Sequence, residues 1–399
     1  MNRGAIAEIN LSAIAHNLVT IKKSVKNRPI IAVVKADAYG HGSVEVSRRL
    51  IKEGASFLAV SYTGEAIELR DSGIDAPIIV LFDCEDIEGL FDFNLIPVIH
   101  RLATASSLSQ LAKKRKTTIK VHIKVDTGMG RLGLWGDRIV EDLLSIADTE
   151  GIELVGMMSH FSDADLLDKS YAISQLERFR KIIDAVSRRL KRKVLSHMAN
   201  SAAVIAFEDA YLDAVRPGLM LYGYSPFQES GDRGQKSPPL SPPLVRGGTR
   251  GGINSELRTP NSEFVNLIPA MKVKTRILCV RNLSPGSPVS YGRTFITKRH
   301  SKIGVIPVGY ADGYNRIFSN NAGVLVKGKR VPVVGRVCMD LTMVDLTEVE
   351  DAREGDGVVL LGDQGKEVIT AYELAERAKT IPYEILTSLG SRSRKEYIP

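Results

Sequence analysis

The chain predicts an α/β fold: a (β/α)8 barrel of the TIM type over residues 1–227, then a β-rich C-terminal domain over 264–399 that ends in helices. Three features of the sequence carry that expectation. Short β-branched runs alternate with helix-spaced segments through the first half, a Pro- and Gly-rich interval spans 228–263, and strand-length runs without intervening helices follow it. A length of 399 residues accommodates one barrel and a smaller second domain.

Taken in order, the apolar runs lie at 30–36, 57–62, 76–82, 96–100, 118–126, 154–160, 194–200 and 213–223. They are apolar on both faces and alternate with helical spacing at 44–53, 64–72, 102–114 and 169–189, the pattern of a parallel sheet covered by helices. Eight such units argue for a closed barrel over an open sheet. The interval from Gln228 through Ser237-Pro238-Pro239 to Gly251-Gly252 cannot bury a core and reads as a flexible insertion or linker. Beyond it, runs at 271–280, 289–296, 301–308, 323–326, 330–337, 341–346 and 357–361 are divided by turn residues, so their sheet is expected to be antiparallel. Segments 370–378 and 381–389 return to helical spacing.

Chemistry in such a barrel belongs at the C-terminal ends of its strands. Polar residues fall there. Lys35 closes the first run, Asp126 and Arg131 follow the fifth, His160 ends the sixth, Asn200 and Ser201 end the seventh, and Arg216-Pro217-Gly218 lies in the eighth. Singly, each has an ordinary explanation: a snorkelling lysine, a satisfied core histidine, a helix N-cap, a barrel-wall ion pair. Five such sets at one end of one barrel point to a site. Lys35 is the sharpest of them, because burying an ammonium lowers its pKa, which an amine needs in order to attack a carbonyl and form an imine.

Composition excludes other classes. The net charge of +8 is spread over short basic runs at 22–23, 113–116, 188–193 and 392–395 without interleaved aromatics, the signature of solvated helix ends and not of a nucleic-acid surface. Cys84, Cys279 and Cys338 have neither metal-ligand spacing nor an even disulfide framework, so no metal is expected and a reducing compartment is. The first residues offer no secretory h-region and no stretch approaches the length of a membrane span, so a cytoplasmic location without a membrane partner is expected.

Lys35 with Tyr39, the segment Lys124-Val125-Asp126-Thr127-Gly128-Met129-Gly130-Arg131, then Arg216-Pro217-Gly218-Leu219-Met220-Leu221-Tyr222-Gly223, Ser290-Tyr291-Gly292 and Cys338-Met339-Asp340 occur in that order. Together they resemble the alanine racemase family, over essentially the whole chain outside 228–263. The resemblance implies a pyridoxal 5′-phosphate enzyme, a head-to-tail homodimer with shared active sites, and interconversion of L- and D-alanine for peptidoglycan. By it, Lys35 is the imine lysine and the base on one face of the substrate's α-carbon. Tyr291, reaching in from the partner chain, is the acid/base on the other. A free phenol ionises only near pH 10, so such a base needs nearby cations, and Arg131 is the candidate.

The resemblance further implies cofactor contacts from Tyr39, His160, Asn200, Ser201, Arg216, Gly218, Leu219 and Tyr222. Arg131 and Met339 would bind the substrate carboxylate, supported by Lys124, which some members carbamylate, and by Asp340. Arg216 would face the pyridine nitrogen. A guanidinium donates a hydrogen bond there without protonating the ring, which favours prompt return of the α-proton over transamination. One departure concerns the entrance, where many relatives place a tyrosine and this chain aligns Gly390-Ser391-Arg392. The alternatives are a racemase for serine or lysine, a decarboxylase of basic amino acids, and a barrel that only carries the cofactor. Arg216 argues against the decarboxylase, the second domain with Tyr291 and Met339 against the carrier, and pocket size decides the first.

Overall fold

A computed structural model describes residues 4–227 and 266–399; the interval 228–263, expected to be a flexible insertion, lies outside them. Seven parallel strands follow one another in sequence order: Ile31–Val33, Phe57–Val60, Ile78–Val80, Ile96–Ile99, Ile119–Lys124, Ile152–Met158 and Leu195–His197. Each corresponds to one of the apolar runs.

The eighth run divides into two parts. Its first half closes the barrel, since Ala214 bridges His197, Val215 bridges Ile30, and the Ile31 N–H donates to the Val215 carbonyl at 2.9 Å. Pro217 then has no N–H with which to extend the ladder, and Leu219–Tyr222 coils into a tight turn where strand was expected. That turn aims the Gly218 and Met220 N–H groups at the Ser201 hydroxyl.

Helices Ser43–Lys52, Thr63–Asp71, Leu102–Arg115 and Ser170–Leu190 lie where the spacing predicts them. Ile87–Asp92 and Ile139–Ala147 add two shorter ones. Among the described residues no helix is long and apolar enough to cross a membrane.

The second half builds a mixed sheet in the order Lys329–Pro332, Gly323–Val326, Gly357–Gln364, Met271–Arg276, Ile6–Asn10 and Arg394–Ile398, with Glu367–Ile369 pairing on Gly357–Gln364. Two expectations change here. The sheet is not wholly antiparallel, because Ile6–Asn10 runs parallel to Arg394–Ile398. The barrel domain also does not take in the chain from residue 1, since Ile6–Asn10 pairs within the C-terminal sheet. Ala7 and Ile9 are fully buried and bury this strand's apolar face, so the two ends of the chain are tied into one sheet.

The two halves meet where the helix Pro382–Arg392 packs on the turn after Lys35. Gly390 makes the contact possible: a Cβ there would lie 2.2 Å from the Gly40 carbonyl oxygen. Gly390→Ala is therefore expected to push the helix off the turn and cost roughly 1–3 kcal/mol, as overpacking does. Urea unfolding checks this, and an unchanged midpoint would mean that the contact relaxes freely.

Candidate active site

Lys35 leaves the first barrel strand into four consecutive left-handed residues, Ala36 to Tyr39, with φ between 52° and 54°. Such a backbone costs roughly 1–2 kcal/mol per L-residue, so something must hold it. The Ala36 N–H donates to Glu65 Oε1 at 2.6 Å. Asp37 accepts from the Ser43 N–H at 2.7 Å and pairs with Lys395 Nζ at 2.7 Å, tying the turn to the C-terminal strand. His41 closes it by donating from Nδ1 to the Ala38 and Tyr39 carbonyls at 3.0 and 3.1 Å. Strain concentrated beside a half-buried lysine points to a functional site.

The turn forms one wall of a cavity of about 810 Å³. Lys35, Tyr39, Lys124, Arg131, His160, Asn200, Ser201, Arg216, Gly218 and Leu219 all line it, so the expected barrel residues meet. Tyr222 does not reach it. Its ring lies beneath Tyr39 at 4.9 Å between centroids and its hydroxyl donates to the Val33 carbonyl at 2.8 Å, so it braces Tyr39 from below.

Three features shape the floor. Asp126 accepts from the N–H groups of Gly128, Met129, Gly130 and Arg131, at 2.8 to 3.2 Å, which folds the loop that carries Arg131. Gly218 lies against the Tyr39 hydroxyl, and a Cβ there would come within 2.6 Å of it. Arg216 is 4 % exposed, and its terminal nitrogens donate to the Ser159, His197 and Met198 carbonyls and to Nδ1 of His160 and His197. No acceptor for its Nε–H occurs among the described residues, and Arg216 lines the cavity.

Electrostatics follow from this crowding. Burial, aided by Arg131 and opposed by Glu65, pulls Lys35 below the usual lysine value, toward the free amine a nucleophile needs. Burial, with Arg131 and Arg216 nearby, brings Lys124 down to about 8. Arg216 is lowered by burial to about 9 and stays charged at neutral pH.

Sequence reasoning missed His197, which touches Arg216, and Glu65, which holds the turn. It also did not single out Tyr383. Ser391 is exposed and its hydroxyl donates to the Thr387 carbonyl, but Tyr383 of the same helix lines the cavity with its ring 5.7 Å from Tyr39.

Tyr291, Met339 and Asp340 are not brought to this cavity within one chain. Tyr291 projects from a strained loop in which Ser290, Gly292 and Arg293 all have positive φ, and it is 72 % exposed. Met339 and Asp340 are exposed beside it, on a loop fixed by the Tyr310 and Ala311 N–H groups donating to the Cys338 and Met339 carbonyls, each at 3.0 Å.

Four histidines, His41, His122 and His197 buried and His160 partly so, give this architecture a pH signature. His160 and His197 are held well below the usual range by burial beside Arg216, and burial brings His122 to about 3 and His41 to about 4. In the unfolded chain each gains a proton below about pH 6.5, whereas the native protein refuses it until much lower pH. Unfolding thus binds protons in that window and stability falls as pH falls. The expected loss is up to about 1.4 kcal/mol per pH unit for each histidine. Urea midpoints at pH 7.5 and 5.5 check this, and equal midpoints would contradict it.

Comparison with known proteins agrees with this arrangement. Residues 9–226 match the family model "Alanine racemase, N-terminal domain", and residues 270–397 match "Alanine racemase, C-terminal domain". The alanine racemase of Thermodesulfovibrio yellowstonii is 47% identical over 402 residues, covering 100% of this chain and 99% of that one. The solved alanine racemase of Clostridium difficile 630 superposes with a TM-score of 0.85 at 34% identity, covering 100% of this chain and 96% of that one. That of Bartonella henselae, described with covalently bound pyridoxal phosphate, superposes with a TM-score of 0.81 at 30% identity, covering 99% of each.

Proposed function

The chain belongs to the alanine racemase family, whose pyridoxal-phosphate-dependent interconversion of L- and D-alanine is its activity, and we propose that it works through two bases on opposite faces of the substrate. The observation that carries this reading is the meeting of Lys35, Arg216 and the Tyr39–Ser201–Gly218 cradle in one cavity.

These residues fit the cofactor. The missing Cβ of Gly218, the Tyr39 hydroxyl and the Ser201 hydroxyl leave a hydrogen-bonding pocket at the end of the barrel, suited to a phosphate dianion. The Nε–H of Arg216 is available for the ring nitrogen. Bound pyridoxal phosphate supplies the electron sink that makes an amino acid's α-proton removable.

The chain's own groups do the rest. Lys35 holds the cofactor and, once its amine is released by substrate, takes or returns a proton at one face of the α-carbon. Depression of its pKa by burial keeps that amine available as a base. Arg131, with Met339 of a second copy, orients the substrate carboxylate, and Lys124, lining the same cavity, adds positive charge beside it. Arg216 donates without giving up a proton, which holds the reaction to proton exchange.

The opposite face needs an acid/base that one copy lacks. Tyr291 supplies it from a second copy, so the working unit is a head-to-tail homodimer. Tyr291, Met339, Tyr310, Ile296 and Leu341 expose apolar surface on the second domain, as a face that docks against another chain does. Cys84, Cys279 and Cys338 are free, which agrees with a cytoplasmic enzyme delivering D-alanine to peptidoglycan synthesis.

Incubating the purified protein with pyridoxal phosphate and L-alanine in deuterated water tests the reading. Loss of optical rotation together with deuterium at the α-carbon is expected. Bound cofactor with neither change for alanine, but both for serine or lysine, would reassign the substrate.

A further inference from the structure

The interior of a (β/α)8 barrel is ordinarily packed with branched apolar side chains. Here two imidazoles stand in that interior behind Arg216. His197 ends the strand Leu195–His197, and His122 lies on Ile119–Lys124; they are 0 % and 1 % exposed. Arg216 Nη1 meets His197 Nδ1 at 2.7 Å, and His197 Nε2 meets His122 Nδ1 at 2.8 Å.

Proton placement along this line has one solution. A guanidinium has only donors, so His197 Nδ1 must accept, and its proton sits on Nε2. That N–H donates to His122 Nδ1, so the His122 proton in turn sits on its Nε2. Both rings are neutral, and protonating His197 at Nδ1 would set two donors face to face. Space for the second ring is made by Gly156 on the neighbouring strand, where a Cβ would lie 2.4 Å from His122 ring atoms. A core that needed only filling would be served by an aliphatic side chain at 122 and an alanine at 156.

We propose that His122 is a positioning residue for the racemisation, fixing through His197 the roll of the Arg216 guanidinium so that its Nε–H faces the cavity. This rests on the reading that Arg216 addresses the cofactor's ring nitrogen. His197 without an acceptor at Nε2 can move its proton to Nδ1 and turn away from Arg216. The guanidinium then loses one of the acceptors that set its plane, and the ring nitrogen loses a constant donor. The consequence is leakage from proton exchange into transamination, in which alanine's amino group passes to the cofactor's aldehyde carbon and pyruvate is released.

Two substitutions separate positioning from packing. His122→Leu fills the space and removes the acceptor, whereas His122→Asn keeps an oxygen close to where Nδ1 stands. Long-range 1H–15N spectra of the parent are expected to show both histidines as neutral Nε2–H tautomers. His122→Leu, loaded with 15N-labelled pyridoxal phosphate, should move the ring-nitrogen resonance and raise pyruvate formed per racemisation roughly tenfold. His122→Asn should restore both. Overturning results would be a protonated or Nδ1–H histidine in the parent, or Leu and Asn variants that behave alike. Arg216→Lys is the control for the underlying reading. If it also leaves the ring-nitrogen resonance unmoved, Arg216 is not at the ring nitrogen; if it moves the resonance and His122→Leu does not, only the relay fails.

Discussion

Lys35→Ala is expected to lower turnover in both directions by more than about 10⁴-fold, because on the proposed reading it removes the covalent anchor and one of the two bases together. The visible absorbance that pyridoxal phosphate acquires on the lysine should disappear at the same time. Folding is not expected to suffer, since Lys35 lies beyond the last residue of the strand Ile31–Val33 and the left-handed turn is held by Glu65, Asp37 and His41. Far-ultraviolet circular dichroism and a urea midpoint near the parent's would establish that the loss is chemical. Residual racemisation above about one part in a hundred would mean that another group serves as base on that face.

Tyr291→Phe is expected to act unequally on the two enantiomers. The substitution keeps the ring and the loop but removes the hydroxyl, so the cost is that of one acid/base group, about 10²- to 10⁴-fold. If Tyr291 takes the proton of the L-isomer, the primary deuterium isotope effect should rise for L-alanine and change little for D-alanine. Equal changes in both directions would contradict two bases of distinct face. The exposure of Tyr291 in the single chain adds a second expectation: the variant should bind pyridoxal phosphate as the parent does, because Tyr291 lies outside the cavity that Lys35 shares with Arg216.

Much of this was legible in the sequence, for physical reasons. Lys35, Arg131, His160, Ser201 and Arg216 stood out because parallel strands are apolar on both faces, so a polar residue at their C-terminal ends needs a cause. His122 and His197 escaped notice because a histidine inside an apolar strand reads as ordinary core, and only their meeting across the barrel gives them a role. No glycine marks Ala36 to Ala38, so their left-handed course was invisible; it is held by the Ala36 N–H donating to Glu65 and by His41 donating to the Ala38 carbonyl. Tyr383 was not legible as a cavity residue because its place depends on how the helix Pro382–Arg392 docks on Gly40. The parallel pairing of Ile6–Asn10 with Arg394–Ile398 joins the two ends of the chain, beyond the reach of local patterning.

A mixed dimer tests most directly whether the active site is completed by a second copy. Lys35→Ala and Tyr291→Phe chains, carrying different tags and produced together, can be purified as the dimer that holds one of each. In a head-to-tail pair one site then has both defects and the other has neither. Each variant alone should be nearly inactive, and the mixed dimer should recover about half of the parent's turnover per dimer. A mixed dimer as inactive as its parents would contradict the shared site and place Lys35 and its opposing acid in the same chain.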